Sequence, residues 1–363
     1  MKKFALILFV SQYSILNTQY SFAQVRKYSN EFLSIGIGAR ALGMSNAYVT
    51  SVNDVTAGYW NPAGLTGINS NVQLAAMHSE YFAGIAKYDF AAFGSKIDSA
   101  SALGVSFIRL AIDDIPNTID LIEPNGNINY DKIEKFSAAD NAVLLSYARK
   151  TKTPGLRIGA NAKIIYRKVG DFAQAWGFGL DAGLQYDYKN WKFAAISRDI
   201  TGTFNAWSYN LSDRMKEVFT QTGNEIPENS LEITSPKIVL GAARTFLIKE
   251  KFSLLAELNA DINTDGKRNV LIRGNYTSMD PHFGMEAGYK NLVFVRAGAG
   301  NFQYVKSDLG NREVLTFQPN IGIGLKIKNL TLDYALTDIG DQSVALYSNV
   351  FSLKLDLYKS AKN

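Results

Sequence analysis

The sequence predicts a 14-stranded antiparallel transmembrane β-barrel, on three observations. Short stretches from Asn71 to Tyr358 alternate apolar and polar residues with period two, the linkers between them are by turns very short and long, and the chain opens like an exported protein.

At the N-terminus, Lys2 and Lys3 precede the apolar run Phe4 to Val10, and Ser21-Phe22-Ala23 offers small residues to a signal peptidase. Residues 1–23 are therefore expected to be a signal peptide cut before Gln24. No later stretch of about 18 uninterrupted apolar residues follows, so no helical anchor is expected. An exported strand-rich chain is then soluble in the periplasm, secreted, or closed into a barrel.

Alternation is clearest at the end of the chain. Phe351, Leu353, Leu355 and Leu357 share one face, and Ser352, Lys354 and Asp356 the other. Ile321, Ile323, Leu325 and Ile327 oppose Asn320, Lys326 and Lys328, and Trp176 to Tyr186 alternate with Gly177, Gly179, Asp181, Gly183 and Gln185. That second face is small and polar. A soluble sandwich also alternates, so the linkers decide.

Strands are read near Asn71, Ile85, Ala102, Asn141, Leu156, Ala175, Trp191, Pro236, Phe252, Pro281, Leu292, Phe317, Leu330 and Val350. Every second connection is tight. Lys189-Asn190, Lys290-Asn291 and Lys328-Asn329 are expected to turn with Asn at positive φ, while Thr153-Pro154-Gly155 and Ile248-Lys249-Glu250 serve the same purpose. The long connections run 113–140, 200–235, 263–279, 301–316 and 338–349. Short inner turns, long outer loops and an even strand number place both termini on the periplasmic side of a Gram-negative outer membrane. The expected organisation is a barrel over 71–358 and a short tail over 359–363.

Composition agrees. The chain has no cysteine, which excludes disulfides and thiol chemistry. Losing Lys2 and Lys3 lowers the basic count from 38 to 36 against 33 acids, and a net +3 gives no argument for nucleic acid. Glycine suits tight lumenal packing, and Tyr186, Tyr188, Trp191 and Tyr289, beside short turns, suit an aromatic girdle.

Residues 24–70 do not alternate, yet are too apolar and too punctuated for a disordered tail. The run FLSIGIGARALGMSNAYVTSVNDVTAGYWNPAGL, from Phe32 to Leu65, resembles the opening of the PorV/PorQ family of outer-membrane barrels and, more distantly, of FadL-type transporters of hydrophobic compounds. The closing NVFSLKLDL, ending at Leu357, is similar to that family's last strand. The resemblance implies that residues 24–70 fold into the lumen as a plug or hatch, a role carried onto Asn61, Pro62, Ala63 and Gly64. It also implies a non-enzymatic accessory or docking role in type IX secretion or surface attachment, with a translocon or secreted cargo as partner. The FadL-type alternative is a channel for uptake of hydrophobic small molecules. The family's usual terminal aromatic corresponds to Tyr358, which five residues follow.

Other motifs are set aside. Gly36-x-Gly38-x-x-Ala41 lacks the βαβ context of a dinucleotide site, so its glycines are assigned to close packing. Asp261, Asn263 and Asp265, followed by Gly266, match half a calcium loop, but the twelfth position is Ile272. His78 and His282 have no ligand neighbours in sequence, which leaves zinc without support. Asp113, Asp114 and Glu123 are read as solvated loop acids rather than a hydrolytic pair. No cofactor is expected. In the 200–235 connection, Ser212 is expected to cap a short helix from Asp213 whose Met215, Val218 and Phe219 form an apolar edge. With Trp207 nearby, that edge is expected either to cover the barrel mouth or to meet a protein partner.

Overall fold

A computed structural model describes residues 24–25, 29–123, 125–306, 312–339 and 347–359; the predicted signal peptide and the last four residues lie outside it. The barrel strands are β1 (Val72–Tyr81), β2 (Ala86–Lys96), β3 (Ser101–Asn117), β4 (Glu134–Lys150), β5 (Leu156–Val169) and β6 (Ala173–Tyr188). β7 runs Trp191–Arg198 and resumes at Thr203–Tyr209, and β8 runs Ser230–Thr234 and resumes at Lys237–Ile248. β9 (Phe252–Asn263), β10 (Ser278–Tyr289), β11 (Val293–Lys306), β12 (Glu313–Ile327), β13 (Leu330–Thr337) and β14 (Ser348–Leu357) complete the wall.

Each strand pairs antiparallel with the next, and β14 closes on β1 from Asn349 opposite Glu80 to Leu357 opposite Val72. Closure leaves no free edge along the wall, which is what lets strands stand in lipid. Alternation sets the two faces. On β3, Leu103, Val105 and Phe107 are exposed outward while Gly104, Ser106 and Ile108 are buried inward. Tyr188, Trp191 and Tyr289 are exposed beside the inner turns, as a girdle requires, and Tyr186 is half-buried there.

Three expectations are corrected. The 113–140 and 301–316 connections are shorter than expected, because pairing continues past the alternating stretches to Asn117 opposite Glu134 and to Lys306 opposite Glu313, which puts Asp113 and Asp114 on strand β3 rather than in a loop. In the Lys-Asn turns, positive φ falls on Lys189, Lys290 and Lys328, and only Asn291 among the three asparagines shares it. A mirrored hairpin turn puts its first central residue in the left-handed region, and that residue is the lysine. The two ends of the 200–235 connection are wall: β7 and β8 break only at 199–202 and at Ser235-Pro236, then pair again, Thr203 to Thr234 and Trp207 to Ser230, which leaves 210–229 as the excursion. Pro236 has no N–H to give the ladder, and Asp199 (φ 56°) and Gly202 (φ 71°) turn the chain out of register. The remaining excursion carries the helix α3 (Asp213–Gln221).

The N-terminal segment fills the barrel interior. It contains two single-turn helices, α1 (Ala39–Leu42) and α2 (Ala57–Trp60), and 3-10 turns at Glu31–Leu33 and Pro62–Gly67. Ile37, Met44, Ala47, Ala57 and Leu65 are fully buried, each of the larger ones contributing about 1.5–3 kcal/mol of apolar burial.

Contact with the wall is made through glycines that are cross-strand partners. Gly159 faces Gly183, Gly284 faces Gly298, and Gly94 faces Gly104. A Cβ on Gly159 would lie 2.4 Å from the Ala63 nitrogen, and one on Gly183 would lie 2.2 Å from Asn61 Oδ1. A Cβ on Gly298 would lie 2.3 Å from the Met44 carbonyl carbon, and one on Gly94 would lie 2.8 Å from Ile68 Cδ1. The wall is thinned at three places, so that backbone meets backbone at Gly159 and Gly298 and the Ile68 and Leu65 side chains seat against Gly94 and Gly104. Gly159→Ala is expected to dislodge the segment at a cost of about 1–3 kcal/mol of overpacking. Limited proteolysis in detergent should then cut between residues 40 and 66 while the barrel keeps its heat-modifiable migration; a protected segment would refute the cradle.

Candidate functional site

The floor of the site is built from the N-terminal segment. Gly36 (φ 101°) and Gly38 (φ 82°) take a backbone conformation that side chains disfavour, and a Cβ on Gly36 would sit 2.5 Å from Asn46 Oδ1. Those two glycines therefore serve turn geometry and close packing, and the helix after them is only one turn long. An aromatic cluster fixes the rest. Tyr59 and Trp60 meet edge-on at 4.9 Å, the Tyr59 hydroxyl donates to the Leu33 carbonyl (2.7 Å), and Trp60 Nε1 donates to the Ile37 carbonyl (2.9 Å).

Asn61, Pro62, Ala63 and Gly64 anchor this floor. Asn61 Oδ1 accepts from the Ala63 N–H (3.2 Å), capping the turn that Pro62 opens, while Asn61 Nδ2 donates to the carbonyls of Leu184 on β6 (3.0 Å) and Val49 (3.3 Å). Gln185 Nε2 donates to the carbonyls of Val49, Thr50 and Val52 at 3.0–3.2 Å, and the Glu257 carboxylate accepts the N–H groups of Thr50 (2.7 Å) and Ser51 (3.1 Å). Strands β6 and β9, three apart along the wall, thus hold both polarities of one short loop.

Charges complete the lock. Arg40 on α1 pairs with Glu286 (2.7 Å), Glu286 with Arg296 (2.6 Å), and Arg296 with Asp333 (2.7 Å). Asp54 pairs with Lys354 of the last strand at 2.6 Å. Every one of these carboxylates is nearly buried, so each pair is strong against loss of a single partner.

Above the floor lies a cavity of about 660 Å³. Ile35, Leu42, Val49 and Trp60 line it from below, Leu110 and Ile112 of β3 from one wall, and Asn301, Gln303, Gln318 and Asn320 of β11 and β12 from another. The outer connection 264–277 folds inward over it. Its Arg268 donates to Asp265 (2.6 Å) and to Glu31 of the N-terminal segment (3.1 Å). Arg198 stacks its guanidinium 4.7 Å from the Tyr59 ring centre, and Lys237 pairs with Asp261 at 2.5 Å. His282 Nδ1 lies 2.9 Å from the Ser45 carbonyl. This is an amphipathic chamber of the size that holds one small molecule.

The predicted site residues separate in space. Asp261 and Asn263 lie on strand β9 with both edges paired, Asp261 is neutralised by Lys237, and Asp265 is held by Arg268. Carboxylates already matched to cations on a strand do not make a calcium loop, and no three acidic or histidine side chains among the described residues converge as metal ligands. Asp113, Asp114 and Glu123 each face a lysine, Lys87, Lys135 and Lys132 respectively, rather than one another. His78 pairs with Asp89 at 2.7 Å on the exposed wall, away from His282.

Ser212 caps α3 as expected, accepting the Met215 N–H at 3.2 Å, and Met215, Val218 and Phe219 are half-buried on one edge. Arg214 ties the helix to the 118–133 connection by donating to the Ile122 carbonyl (3.0 Å). Trp207 is corrected from loop to wall: its Nε1 donates to Glu232 (2.7 Å) and the Arg167 guanidinium stacks on it at 5.0 Å. Sequence reasoning gave no site role to Arg198 or to the amides of β11 and β12, reading Asn320 only as part of a strand's polar face. Their signal was present, as polar residues at every second position of Asn301 to Gln303 and Gln318 to Asn320.

The sequence matches no family model, and no curated protein is similar to it in sequence. Solved structures do match. The CymD monoaromatic hydrocarbon channel superposes with a TM-score of 0.55 at 11% identity, covering 90% of this chain and 98% of that one. The Ralstonia pickettii toluene transporter TbuX gives 0.53 at 15%, covering 89% and 99%, and a Pseudomonas aeruginosa FadL homologue gives 0.50 at 11%, covering 88% and 98%. At such identities the likeness is one of fold: a closed 14-stranded barrel shared over nearly the whole of each chain.

Asp54 tests the charge lock. Burial disfavours its charged form, but Lys354, the Thr56 hydroxyl and Arg40 outweigh burial and hold its pKa down at about 2. An unfolded aspartate titrates near about 4, so the folded value is depressed, and the stabilisation is complete above about pH 4 and lost as pH falls toward 2. Asp54→Asn is expected to cost about 2 kcal/mol in urea unfolding from detergent micelles at pH 7, with the difference closing below pH 4. Equal stability at pH 7 would contradict the lock.

Proposed function

We propose that this protein is a non-catalytic outer-membrane channel that binds and passes a small, largely hydrophobic compound. The observation that carries the reading is the 660 Å³ amphipathic cavity, held between a fixed floor and an inward-folded outer connection inside a closed barrel. Its fold is that of proteins described as a hydrocarbon channel, a toluene transporter and a FadL homologue, which supports a transport role. Residues 24–70 act as the hatch in this reading, and Asn61 to Gly64 are its anchor. An export signal over residues 1–23 and a Gram-negative outer membrane belong to the same proposal.

The docking role in type IX secretion, implied by the resemblance of the Phe32 to Leu65 run, draws less support. Its best surface, the apolar edge of α3, is half-buried and tied to the chain's own 118–133 connection.

Expressed in the outer membrane of a Gram-negative host that has no channel of this fold, whose lipopolysaccharide leaflet slows apolar solutes, the protein is expected to accelerate entry of labelled toluene, labelled benzyl alcohol or both. Leu110→Trp combined with Val239→Trp, two cavity-lining positions, should cut that acceleration at least about tenfold, equivalent to about 1.4 kcal/mol. No acceleration, together with a translocon protein co-purifying in stoichiometric amount, would replace the channel reading with the docking one.

A further inference from the structure

The cavity is not lined as a site for a plain hydrocarbon. On its β11–β12 side, Gln303 Nε2 donates to Asn301 Oδ1 (2.6 Å) and Asn301 Nδ2 donates to Gln318 Oε1 (2.6 Å). With those bonds made, the Gln303 carbonyl and both N–H groups of Gln318 stand at the ends of the run, and Gln303 and Asn301 each keep one further N–H. Asn320, the next inward amide, is committed elsewhere: its Nδ2 donates to Ser45 Oγ (2.7 Å) and its Oδ1 accepts the Asp338 N–H (2.9 Å). An apolar guest set against such a run would strip water from amides without replacing the lost hydrogen bonds, which is unfavourable.

The charges of the lining argue against an ionic guest. Three basic side chains face four carboxylates, so neither sign dominates. Lys237 is matched by Asp261, and Arg268 by Asp265 and Glu31. Arg198 spreads its guanidinium over Tyr59 and donates through both terminal nitrogens to the carbonyls of Leu33 (3.4 Å) and Tyr59 (3.3 Å). Asp280 lies 3.7 Å from His282 Nε2, and Asp338 accepts the Thr337 hydroxyl (3.1 Å). Among the described residues, the uncharged polar groups that line the cavity for recognition are therefore the amides of β11 and β12, facing the apolar surface of Ile35, Leu42, Trp60, Leu110 and Ile112.

Building on the channel reading above, we propose that the compound bound here is an uncharged oxygenated amphiphile, with an apolar ring or chain and a hydroxyl or carbonyl head read by Gln303, Asn301 and Gln318. A hydroxyl both donates and accepts, and so can meet either end of the amide run, the Gln303 carbonyl or the Gln318 amino group. A site built to hydrogen-bond such a group rejects analogues that lack it far more strongly than an apolar pocket rejects an extra methylene.

Equilibrium dialysis of the full chain in amphipol tests this with four compounds that differ in one group: 4-methylbiphenyl, 4-biphenylmethanol, 4-biphenylcarboxylate and 4-biphenylmethylammonium. The alcohol is expected to bind at least about tenfold tighter than the hydrocarbon and than either ion. Gln318→Leu and Asn301→Leu should each lower the alcohol-to-hydrocarbon ratio at least about fivefold, with folding checked by heat-modifiable migration. Tightest binding of the hydrocarbon or of an ion, or an unchanged ratio in both variants, would overturn the proposal and leave the channel reading standing. Binding of none of the four above protein-free amphipol would overturn both.

Discussion

Direct contact between the backbone of the N-terminal segment and the barrel wall is the constraint from which the rest of this architecture follows. A barrel of 14 strands is wide enough to need filling, and this one is filled by its own leading residues packed against inward side chains such as Tyr88, Phe90 and Ile108. Three pairs of glycines, 94 with 104, 159 with 183 and 284 with 298, sit opposite each other on neighbouring strands and remove two side chains at a time. Into those gaps go Ile68, the Asn61 to Ala63 turn and Met44. A filler touching the wall at backbone distance on several sides cannot slide as a loose tail would.

Position then dictates the polar chemistry. A loop held inside a barrel brings main-chain N–H and carbonyl groups out of water, and each must find a partner. Gln185 and Glu257 supply partners of opposite polarity to residues 49–52 from β6 and β9. The ion pairs follow the same logic, since Arg40 and Asp54 leave water with the segment and meet Glu286 and Lys354 on the wall. What the segment leaves unfilled, between its upper surface and the outer connection 264–277, is the cavity. Its volume is set by the floor's height, and its character by which strand ends rise above that floor.

Much of this was legible in the sequence, for physical reasons. Period-two alternation and tight turns are local, and they marked all 14 strands and which ends carry the long connections. The Asn61 to Gly64 segment was marked by the resemblance of the Phe32 to Leu65 run, and its turn has a local cause, since Asn61 caps it and Pro62 opens it. Less local features were not. The glycine pairs depend on cross-strand register, which places Gly183 of one strand against Gly159 of another and is invisible within either. The upper halves of β7 and β8 were read as a loop because each is a short run set off by a backbone break, at Gly202 and Pro236, and only their mutual pairing makes them wall. The half-match to a calcium loop was set aside on its twelfth position, but what holds Asp261 instead was not legible, because spacing says nothing about Lys237, which arrives from the neighbouring strand to neutralise it. The cavity itself, with Arg198 and the amides, is assembled from distant segments and exists only after closure.

Hydrogen–deuterium exchange of the folded protein in detergent measures the central contact most directly. If residues 43–66 are cradled against the wall, their amides should exchange as slowly as those of the central barrel strands and orders of magnitude more slowly than the exposed 118–133 connection. Exchange of residues 43–66 at the rate of that exposed connection would mean the segment is not held, and the account of floor, lock and cavity would fall with it.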